Sequence, residues 1–242
     1  LRPACYGRPN FELWNSAQVC KLVVEDQPDG SKRCTGVEVW TGSERITVHA
    51  TRDSGKDRGL IGEVILCAGS INSPQILQLS GIGPGALLQQ HGIAPVLAQA
   101  QVGANLQDHL AMSYYFKATE PTLNNVLGSL WGKLRVGLQY VTSLGGPLSI
   151  SVNQCGGFVR SHDGATQADM QLYCNPITYT LAASKTGTQI VPDRFAGFIL
   201  CFQPCRPLSR GKVEIAAADV ATAPRIMPNY LSHPEDVAQA LR

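Results

Sequence analysis

The sequence predicts a mixed α/β fold that is followed by a second, α+β domain built on an antiparallel sheet. Three observations predict it: alternating strands over residues 11–50, an apolar strand that passes directly into a helix near Gly69, and a change of texture near Met112. The 242 residues are enough to bury a substantial core, either in one large domain or in two smaller ones.

The first quarter of the chain predicts a β-meander. Residues 11–50 hold three apolar segments separated by turn sequences, and polar and apolar residues alternate in the last two. The charged segment 51–60 predicts a surface excursion. The next segment, "EVILCAG", is apolar on both faces, which is typical of a buried strand in a parallel sheet.

Two helices are predicted after that strand. Ser73 suits an N-cap, Pro74 suits the first helical position, and Gly81 ends the helix. A second short helix, "PGALLQQ", ends just before Gly92, and extended chain follows.

From Met112 onward, strand-like and helical segments are mixed. One amphipathic helical stretch covers residues 123–146. Strands are predicted in the segments "SYYFKATEP", "GGFVRS", "ADMQLYCNP", "FAGFILCFQPCRP" and "GKVEIAAADV". This spacing favours an antiparallel sheet in a second domain.

The ends of the sequence predict an internal piece of a longer protein. The chain opens at Leu1 without an initiator Met or a signal peptide. The final "PEDVAQALR" predicts the first turns of a helix, with Ser232 as N-cap and Pro234, Glu235 and Asp236 in the first turn.

The composition is that of an ordinary globular protein, with 44% hydrophobic and 16% charged residues. A net charge of +2 from scattered basic residues is too small to indicate nucleic acid or an anionic membrane as a partner. No apolar run approaches the roughly 20 residues of a transmembrane helix. We therefore expect neither a nucleic-acid partner nor a membrane-spanning segment.

The eight cysteines show no CxxC spacing. In a chain of this length, cysteines inside apolar runs are more often small buried hydrophobic residues than halves of disulfides. Cys201 and Cys205 form the only close pair, and without a nearby histidine they are weak evidence for a metal. We expect no metal site, and a reducing, cytoplasmic location.

Four blocks of the sequence resemble one enzyme family. They are "RPNFELWNSAQVCKLV", "GSINSPQILQLSGIG", "VGANLQDHL" and "CRPLSRGKVEIAAADVATAPRIMPNYLSHPEDV". The second block carries a small pair, Ser-Pro, two aliphatics and Ser-Gly-aliphatic-Gly. In this order, the blocks resemble the glucose-methanol-choline (GMC) family of flavin oxidoreductases.

The resemblance implies that residues 1–111 are the C-terminal part of a doubly wound FAD-binding domain. It implies that residues 112–242 are a substrate domain with an antiparallel sheet. Carried over position by position, the backbone of Val19 meets the adenine of FAD, and Ala68 and Gly69 end the strand that borders the cofactor.

The third block runs past the flavin in the family, which makes Asn105, Asp108 and His109 candidate cofactor-binding residues. His109 could instead be taken for a catalytic base, but the family does not use this histidine so. Hydrogen bonding within the "NLQDH" turn is the favoured interpretation of His109, and a turn or cap role is favoured for Asp108.

The other basic side chains have a structural interpretation beside any functional one. Arg206 and Arg210 could hold an anionic substrate, but the turn that contains them is interpreted first as structural. His91, His162 and His233 lie in polar contexts that predict solvated surface residues.

Gln154 is the candidate substrate-pocket residue. The choline branch of the family carries a Glu ahead of its Gly-x-Phe, and here the segment is "NQCGGF". Gln is neutral and offers only hydrogen bonds, which favours a neutral alcohol over a quaternary ammonium substrate. The alternative, that the alignment slips or that Gln154 only pairs with backbone in the sheet, stays open.

The resemblance implies an enzyme that oxidises a primary or secondary alcohol to an aldehyde or ketone by hydride transfer to FAD, with oxygen or a quinone-like carrier as electron acceptor. The family's G-x-G-x-x-G turn and catalytic His have no counterpart in these 242 residues. We therefore assign no catalytic residue and expect the 242-residue chain alone to be inactive. An FAD-containing lyase and a non-catalytic interaction protein remain alternatives.

Overall fold

The computed structural model describes residues 7–50, 62–149, 151, 153–184 and 187–242. These residues form two compact units. The first comprises residues up to Leu106 together with Arg210–Asn229, and the second comprises Gln107–Ser209 with Tyr230–Arg242. This division differs from the predicted boundary at residue 111 in two respects. The first part of the first unit ends at Leu106, and a C-terminal segment, Arg210–Asn229, also belongs to this unit. The predicted excursion over residues 51–60 and Cys5 lie outside the described residues.

The predicted meander is confirmed as an antiparallel sheet of three strands. These are β1 (Gln18–Asp26), β2 (Lys32–Trp40) and β3 (Arg45–His49), in the order β1-β2-β3. The side chains of Cys20, Leu22 and Val39 are buried. The sheet starts later than predicted, since residues 11–17 form no strand and present Phe11, Leu13 and Trp14 to solvent.

The first predicted helix exists but starts five residues earlier than expected. Helix α1 spans Gly69–Leu79, with Ala68 at its N-cap and Pro74 inside it. Ser73 is therefore not the N-cap; its hydroxyl oxygen accepts a hydrogen bond from the backbone N–H of Ala68 at 3.1 Å. The predicted end is confirmed, because Gly81 follows the helix with φ of +78°.

The predicted strand "EVILCAG" is wrong as a strand. Residues 62–67 have no strand pairing, and exposed and half-buried positions alternate along them, with Ile65 79% exposed. A strand exists through hydrogen bonds to its neighbours, and the described residues supply none for this segment. The segment is apolar enough for a strand of a parallel sheet, but it forms no strand in the described structure.

Short elements complete the first unit. Strand β4 (Ile82–Gly83) pairs in parallel with β5 (Leu97–Ala98), and helix α2 (Gly85–Gln90) lies between them. Gly92 follows α2 with a positive φ, as predicted. Strand β6 (Ala104–Leu106) belongs to a further sheet, described next.

The last predicted strand joins a different sheet from the one expected. Strand β13 (Gly211–Glu214) pairs antiparallel with β6 on one side and with β14 (Arg225–Met227) on the other. It was expected in the antiparallel sheet of the second domain. Its pairing with β6 instead places residues 210–229 in the first unit.

The second unit contains the predicted antiparallel sheet. Its four strands are β7 (Met112–Lys117), β8 (Cys155–Val159), β9 (Met170–Asn175) and β12 (Gly197–Pro204), in the order β7-β12-β9-β8. A separate hairpin, β10 (Tyr179–Ser184) with β11 (Gly187–Pro192), was not predicted. The side chains of Ile199 and Cys201 are buried.

The predicted helical stretch is confirmed but divided. Helix α3 (Leu123–Leu127) ends at Gly128, and α4 (Leu130–Ser143) begins after Ser129, whose hydroxyl oxygen accepts from the N–H of Gly132 at 2.9 Å. A 3₁₀ turn follows at Pro147–Ser149. The split follows from the Gly-Ser pair, which ends one helix and caps the next.

The C-terminal helix, α5 (Pro234–Leu241), has Pro234 at its first position as predicted. Its N-cap is His233 rather than Ser232, because the imidazole Nδ1 accepts from the N–H of Glu235 at 3.2 Å. His233 is therefore a capping residue and not only a solvated surface residue.

Candidate functional site

Polar side chains of helix α1 and of its C-cap connect the helix to β1 and to the segment after β13. The N–H of Leu22 in β1 donates to the hydroxyl of Ser80 at 2.8 Å. The side-chain amide of Gln75 donates to the carbonyl of Thr222 at 3.0 Å. Both side chains are buried, and these bonds fix the helix against β1 and against the segment after β13.

Gln78 connects three of the blocks on which the family resemblance depends. Its side chain is 0% exposed. Its amide nitrogen donates to the carbonyls of Val102 (3.2 Å) and Val213 (3.0 Å), and its amide oxygen accepts from the N–H of Ile215 at 2.8 Å. Since buried polar groups require partners, this one residue fixes "GSINSPQILQLSGIG", "VGANLQDHL" and "GKVEI" against each other.

Gly103 is required by the same arrangement. Its φ is +85°, and a Cβ there would lie 2.1 Å from the carbonyl oxygen of Val213 and 2.4 Å from the amide nitrogen of Gln78. The Gly103 carbonyl accepts from the N–H of Val213 at 2.7 Å. The glycine of "VGANLQDHL" therefore has a packing role that the sequence did not reveal.

The N-terminus of α1 is built from small residues and is open. Among the described residues, no side chain caps it, and its first turn contains no acidic residue. Gly69 has a φ of +82°, and a Cβ at this position would meet no atom of the described residues within 4 Å. The backbone of Ala68 and Gly69 is thus accessible to a flat group, as a cofactor-bordering turn requires. This geometry leaves room for a flat group beside the backbone, and Ala68 and Gly69 stay predicted cofactor contacts.

Val19 lies in β1, an edge strand of the three-stranded sheet. It pairs with Val39, and the register of the pairing shifts between Val19 and Lys21. Edge strands present backbone groups that a ligand can use. Asn105 lies in β6 with a φ of +66° and is exposed. Both positions stay predicted cofactor contacts.

Asp108 interacts with Tyr230 rather than with its own turn. The Tyr230 hydroxyl donates a hydrogen bond to the Asp108 carboxylate. This bond is the main reason why the pKa of Tyr230 lies above its ordinary value. The pairing of a "QDH" residue with the Tyr of "PNYL" could not be read from the sequence, because 122 positions separate them.

His109 does not bond within the "NLQDH" turn, and that expectation is corrected. Its Nε2–H donates to the carbonyl of Cys205 at 3.1 Å, and its Nδ1 accepts from the side-chain amide of Gln203 at 3.3 Å. Both partners belong to the end of β12 and the residues after it. The imidazole is exposed but has hydrogen-bond partners on both nitrogens, which favours a positioning role for it over proton transfer.

Gln154 precedes β8, and its backbone N–H donates to the carbonyl of Cys174 at 3.1 Å while its side chain is exposed. Both the substrate-pocket prediction and the backbone-pairing alternative are compatible with this placement. An open apolar groove of about 500 Å³ lies on the sheet that Gln154 adjoins, against β8, β9 and β12. Its lining includes Cys155, Leu172, Leu200 and Phe202.

The turn that contains Arg206 and Arg210 is held by a buried carboxylate. Asp236 in α5 accepts hydrogen bonds from the N–H groups of Leu208 (2.8 Å) and Ser209 (2.7 Å) and from the Ser209 hydroxyl. Burial raises the pKa of Asp236, but these bonds lower it by more, so it lies below the ordinary value. Asp236 was predicted only as a first-turn residue; the structure shows why this turn is structural.

The remaining histidines were predicted to be solvated. His162 is exposed and its Nδ1 lies 3.0 Å from the Ser161 hydroxyl. His91 differs, because it caps the end of α2 and its Nε2 is buried without a hydrogen-bond partner among the described residues. The expectation of a fully solvated His91 is therefore wrong.

Within the part of the chain that the structure describes, no cluster of His, Cys, Asp or Glu could hold a metal ion. All seven cysteines described are free thiols. No described helix is both long enough and apolar enough to cross a membrane.

Solved structures share this fold. Pyridoxine 4-oxidase from Mesorbium loti matches 98% of this chain over 38% of its own, with a TM-score of 0.71 and 23% identity. A formate oxidase matches 97% of this chain over 42% of its own, with a TM-score of 0.78 and 22% identity. The chain thus belongs to the class of proteins that have this fold.

The sequence identifies the family within that class. Residues 1–111 match the GMC oxidoreductase family. The oxygen-dependent choline dehydrogenases of Burkholderia ambifaria and Burkholderia pseudomallei are both 32% identical over 230 residues, which is 95% of this chain. The chain belongs to the GMC oxidoreductase family. It spans 37% of the length of these relatives.

Proposed function

We propose that this chain is part of an FAD-dependent oxidoreductase that oxidises a CH–OH donor to an aldehyde or ketone. Family membership supports the class, and the relatives are named as dehydrogenases and oxidases. The observation that carries the proposal is the open, small-residue start of α1, which a side chain at Gly69 would fill. An alcohol substrate and an electron acceptor are the partners that such a reaction requires.

The chain's own residues would hold the cofactor mainly through backbone. Ala68 and Gly69 would border the flavin, Val19 would meet the adenine, and the segment from Asn105 to His109 would run past the ring system. When bound, FAD would accept a hydride from the carbinol carbon and pass its electrons to oxygen or to a quinone-like carrier. The role of Gln78, Ser80 and Gly103 is to fix the elements that carry these positions.

The substrate class that we propose is a neutral alcohol. The four strands of the antiparallel sheet contain no Asp or Glu. By the family resemblance, Gln154 takes the position at which the choline branch has a carboxylate. A quaternary ammonium group is held best by a nearby negative charge together with aromatic faces. The apolar groove against β8, β9 and β12 suits a neutral, apolar substrate instead.

The cofactor site is tested by the flavin content of the full-length protein that contains this chain. Gly69→Val should reduce bound FAD per polypeptide at least tenfold, because the side chain would occupy the space beside the α1 backbone. Gly42→Val is the matched control, since Gly42 also has a positive φ and open surroundings but lies in the β2–β3 turn. Equal flavin content in both variants would contradict the proposed site.

A further inference from the structure

Two cysteines stand opposite each other in the antiparallel sheet of the second unit. Cys155 in β8 and Cys174 in β9 are register partners, and among the seven described cysteines they are the only two that face each other in a strand pairing. Directly opposite residues of antiparallel strands point to the same face of the sheet. Their Cα atoms lie about 4.5–5.5 Å apart, which is inside the range of about 4.4–6.8 Å that a disulfide bond requires.

The backbone on both sides of this pair holds the two strands in register. The N–H of Gln154 donates a hydrogen bond to the carbonyl of Cys174 at 3.1 Å. On the other side, a Cβ at Gly156 would lie 2.4 Å from the carbonyl oxygen of Leu172, so the glycine allows β8 to approach β9 this closely. The register that brings the two sulfur atoms together therefore depends on the residues next to Cys155.

The two thiols interact with each other. Burial raises the pKa of Cys174 above its ordinary value, and the neighbouring Cys155 thiol raises it further, with a smaller electrostatic contribution from Cys201. Cys201 is nevertheless no alternative disulfide partner, although it lies in the neighbouring strand β12. It follows Leu200, the residue opposite Cys174, so its side chain points to the other face of the sheet. There its Sγ lies 2.9 Å from the hydroxyl oxygen of Ser113.

We propose that Cys155 and Cys174 form a reversible disulfide bond and that hydrogen peroxide is the oxidant. In the first step, one sulfur attacks a peroxide oxygen, the O–O bond breaks, and a sulfenic acid and a water molecule form. In the second step, the opposite thiol displaces the sulfenic hydroxyl group as a second water molecule, and the S–S bond forms. Overall, the two thiols are oxidised to one disulfide, and one peroxide is reduced to two water molecules.

The order of the two steps follows from the environment of Cys174. Because the thiolate is the nucleophile, a raised pKa makes Cys174 the slower of the two to attack peroxide. Cys155 therefore becomes the sulfenic acid, and Cys174 is the thiol that resolves it. Peroxide needs only a path of its own small size, so the reaction does not require this face of the sheet to stay open to a larger partner.

The pair lies at the candidate substrate site. Both cysteines line the apolar groove against β8, β9 and β12, and Gln154 directly precedes Cys155. A disulfide would therefore change one wall of the groove and slow the oxidation of the alcohol, an effect that rests on the proposed function. On the same function, two-electron reduction of oxygen would release hydrogen peroxide, so the reaction would supply the oxidant that acts on the pair.

The disulfide is tested by peptide mapping of the full-length protein that contains this chain. Trypsin cleaves after Arg160, which places the two cysteines in different peptides, and each of these peptides contains no other cysteine. Reduced protein is treated with hydrogen peroxide, free thiols are alkylated, and the digest is analysed by mass spectrometry. We expect at least tenfold more of the Cys155–Cys174 linked peptide than in untreated protein, and its loss after treatment with dithiothreitol.

Cys34→Ser is the matched control, because Cys34 also lies in a strand but faces Val24. This variant should form the same linked peptide as the wild type. The proposal is overturned if peroxide leaves Cys155 and Cys174 as alkylated thiols, or links either of them mainly to another cysteine.

Turnover before and after peroxide tests the effect on the groove. We expect the oxidised wild-type protein to oxidise its alcohol at least threefold more slowly than the reduced protein, and to recover with dithiothreitol. Cys155→Ser and Cys174→Ser should each keep the same rate before and after peroxide, and this ratio does not depend on the basal rate of either variant. A disulfide that leaves turnover unchanged would overturn the effect on the groove. A reduced protein that oxidises no alcohol would contradict the proposed function instead, while peptide mapping still decides whether the disulfide forms.

Discussion

At the scale of single residues, Gln78 has the largest structural consequence. Its buried amide satisfies two carbonyls and one N–H from segments that lie 24 to 137 positions away in the sequence. The family motif that contains Gln78 does not specify these backbone partners. These bonds explain in physical terms why a Gln can stand at a fully buried position of α1.

Replacing Gln78 by Leu should leave buried backbone groups without partners. Each such group costs about 1–3 kcal/mol, so we expect Gln78→Leu to lower the free energy of unfolding by about 3 kcal/mol. Urea denaturation measures the loss, and faster hydrogen exchange at the Ile215 amide localises it. Gln89→Leu, at an exposed position of α2, is the control and should change stability little. Unaltered exchange at Ile215 would contradict the role of Gln78.

The lowered pKa of Asp236 predicts how the stability of the fold depends on pH. Its pKa is lower in the folded protein than the ordinary value of about 3.9. The carboxylate therefore stabilises the fold above that ordinary value, and this stabilisation disappears as the pH falls through the folded pKa. Asp236→Asn should lower stability at neutral pH and reduce its decline between about pH 5 and pH 3.

Urea denaturation at several pH values measures this effect. Asp163→Asn, which alters an exposed carboxylate, is the control and should keep the wild-type slope. An Asp236→Asn protein whose stability declines in acid as steeply as the wild type would show that other carboxylates are responsible.

At the scale of elements, the approach of β6 to β13 depends on Gly103. Gly103→Ala would place a methyl group against the Val213 carbonyl and force a positive φ on a residue with a side chain. We expect a loss of at least about 2 kcal/mol in the free energy of unfolding. Thermal denaturation compares it with Gly30→Ala, which has a similar φ but open surroundings and therefore shows the backbone strain alone. Equal losses in the two variants would contradict the packing role.

The elements that the sequence predicted well are those defined by local signals. Alternation gave the meander, Gly81 and Gly92 gave the helix ends, and apolar runs gave the four strands of the second sheet. Two failures originate in long-range pairing: residues 62–67 have no strand partner among the described residues, and β13 pairs with β6 instead of joining the sheet of the second unit. The misplaced cap is a local failure, because Ser73 bonds backward to Ala68 instead of capping α1.

The sequence could predict only those parts of the candidate site whose backbone belongs to the motif itself. Ala68 and Gly69 are such residues, because they are small residues of the motif and lie at the start of α1. By contrast, the partners of Asp108 and His109 are Tyr230, Cys205 and Gln203, which no local pattern associates with them. A polar residue at a core-facing helical position, such as Gln78, was the one signal in the sequence that could have revealed the connections of α1.

At the scale of the whole molecule, fold and family agree. Solved oxidases share the fold over nearly the entire chain, and the choline dehydrogenases match it along 95% of its length. The chain contributes the flank of the predicted flavin site and a sheet without carboxylates.

The most direct test of the central claim is anaerobic reduction of the bound flavin in the full-length protein. We expect the absorbance of oxidised FAD to disappear when a neutral alcohol is added without oxygen, and to respond far more slowly to choline. A flavin that stays oxidised with neutral alcohols and with choline alike would contradict an alcohol oxidoreductase and favour a lyase on the same scaffold. Purification of the full-length protein without any flavin would contradict the cofactor site itself.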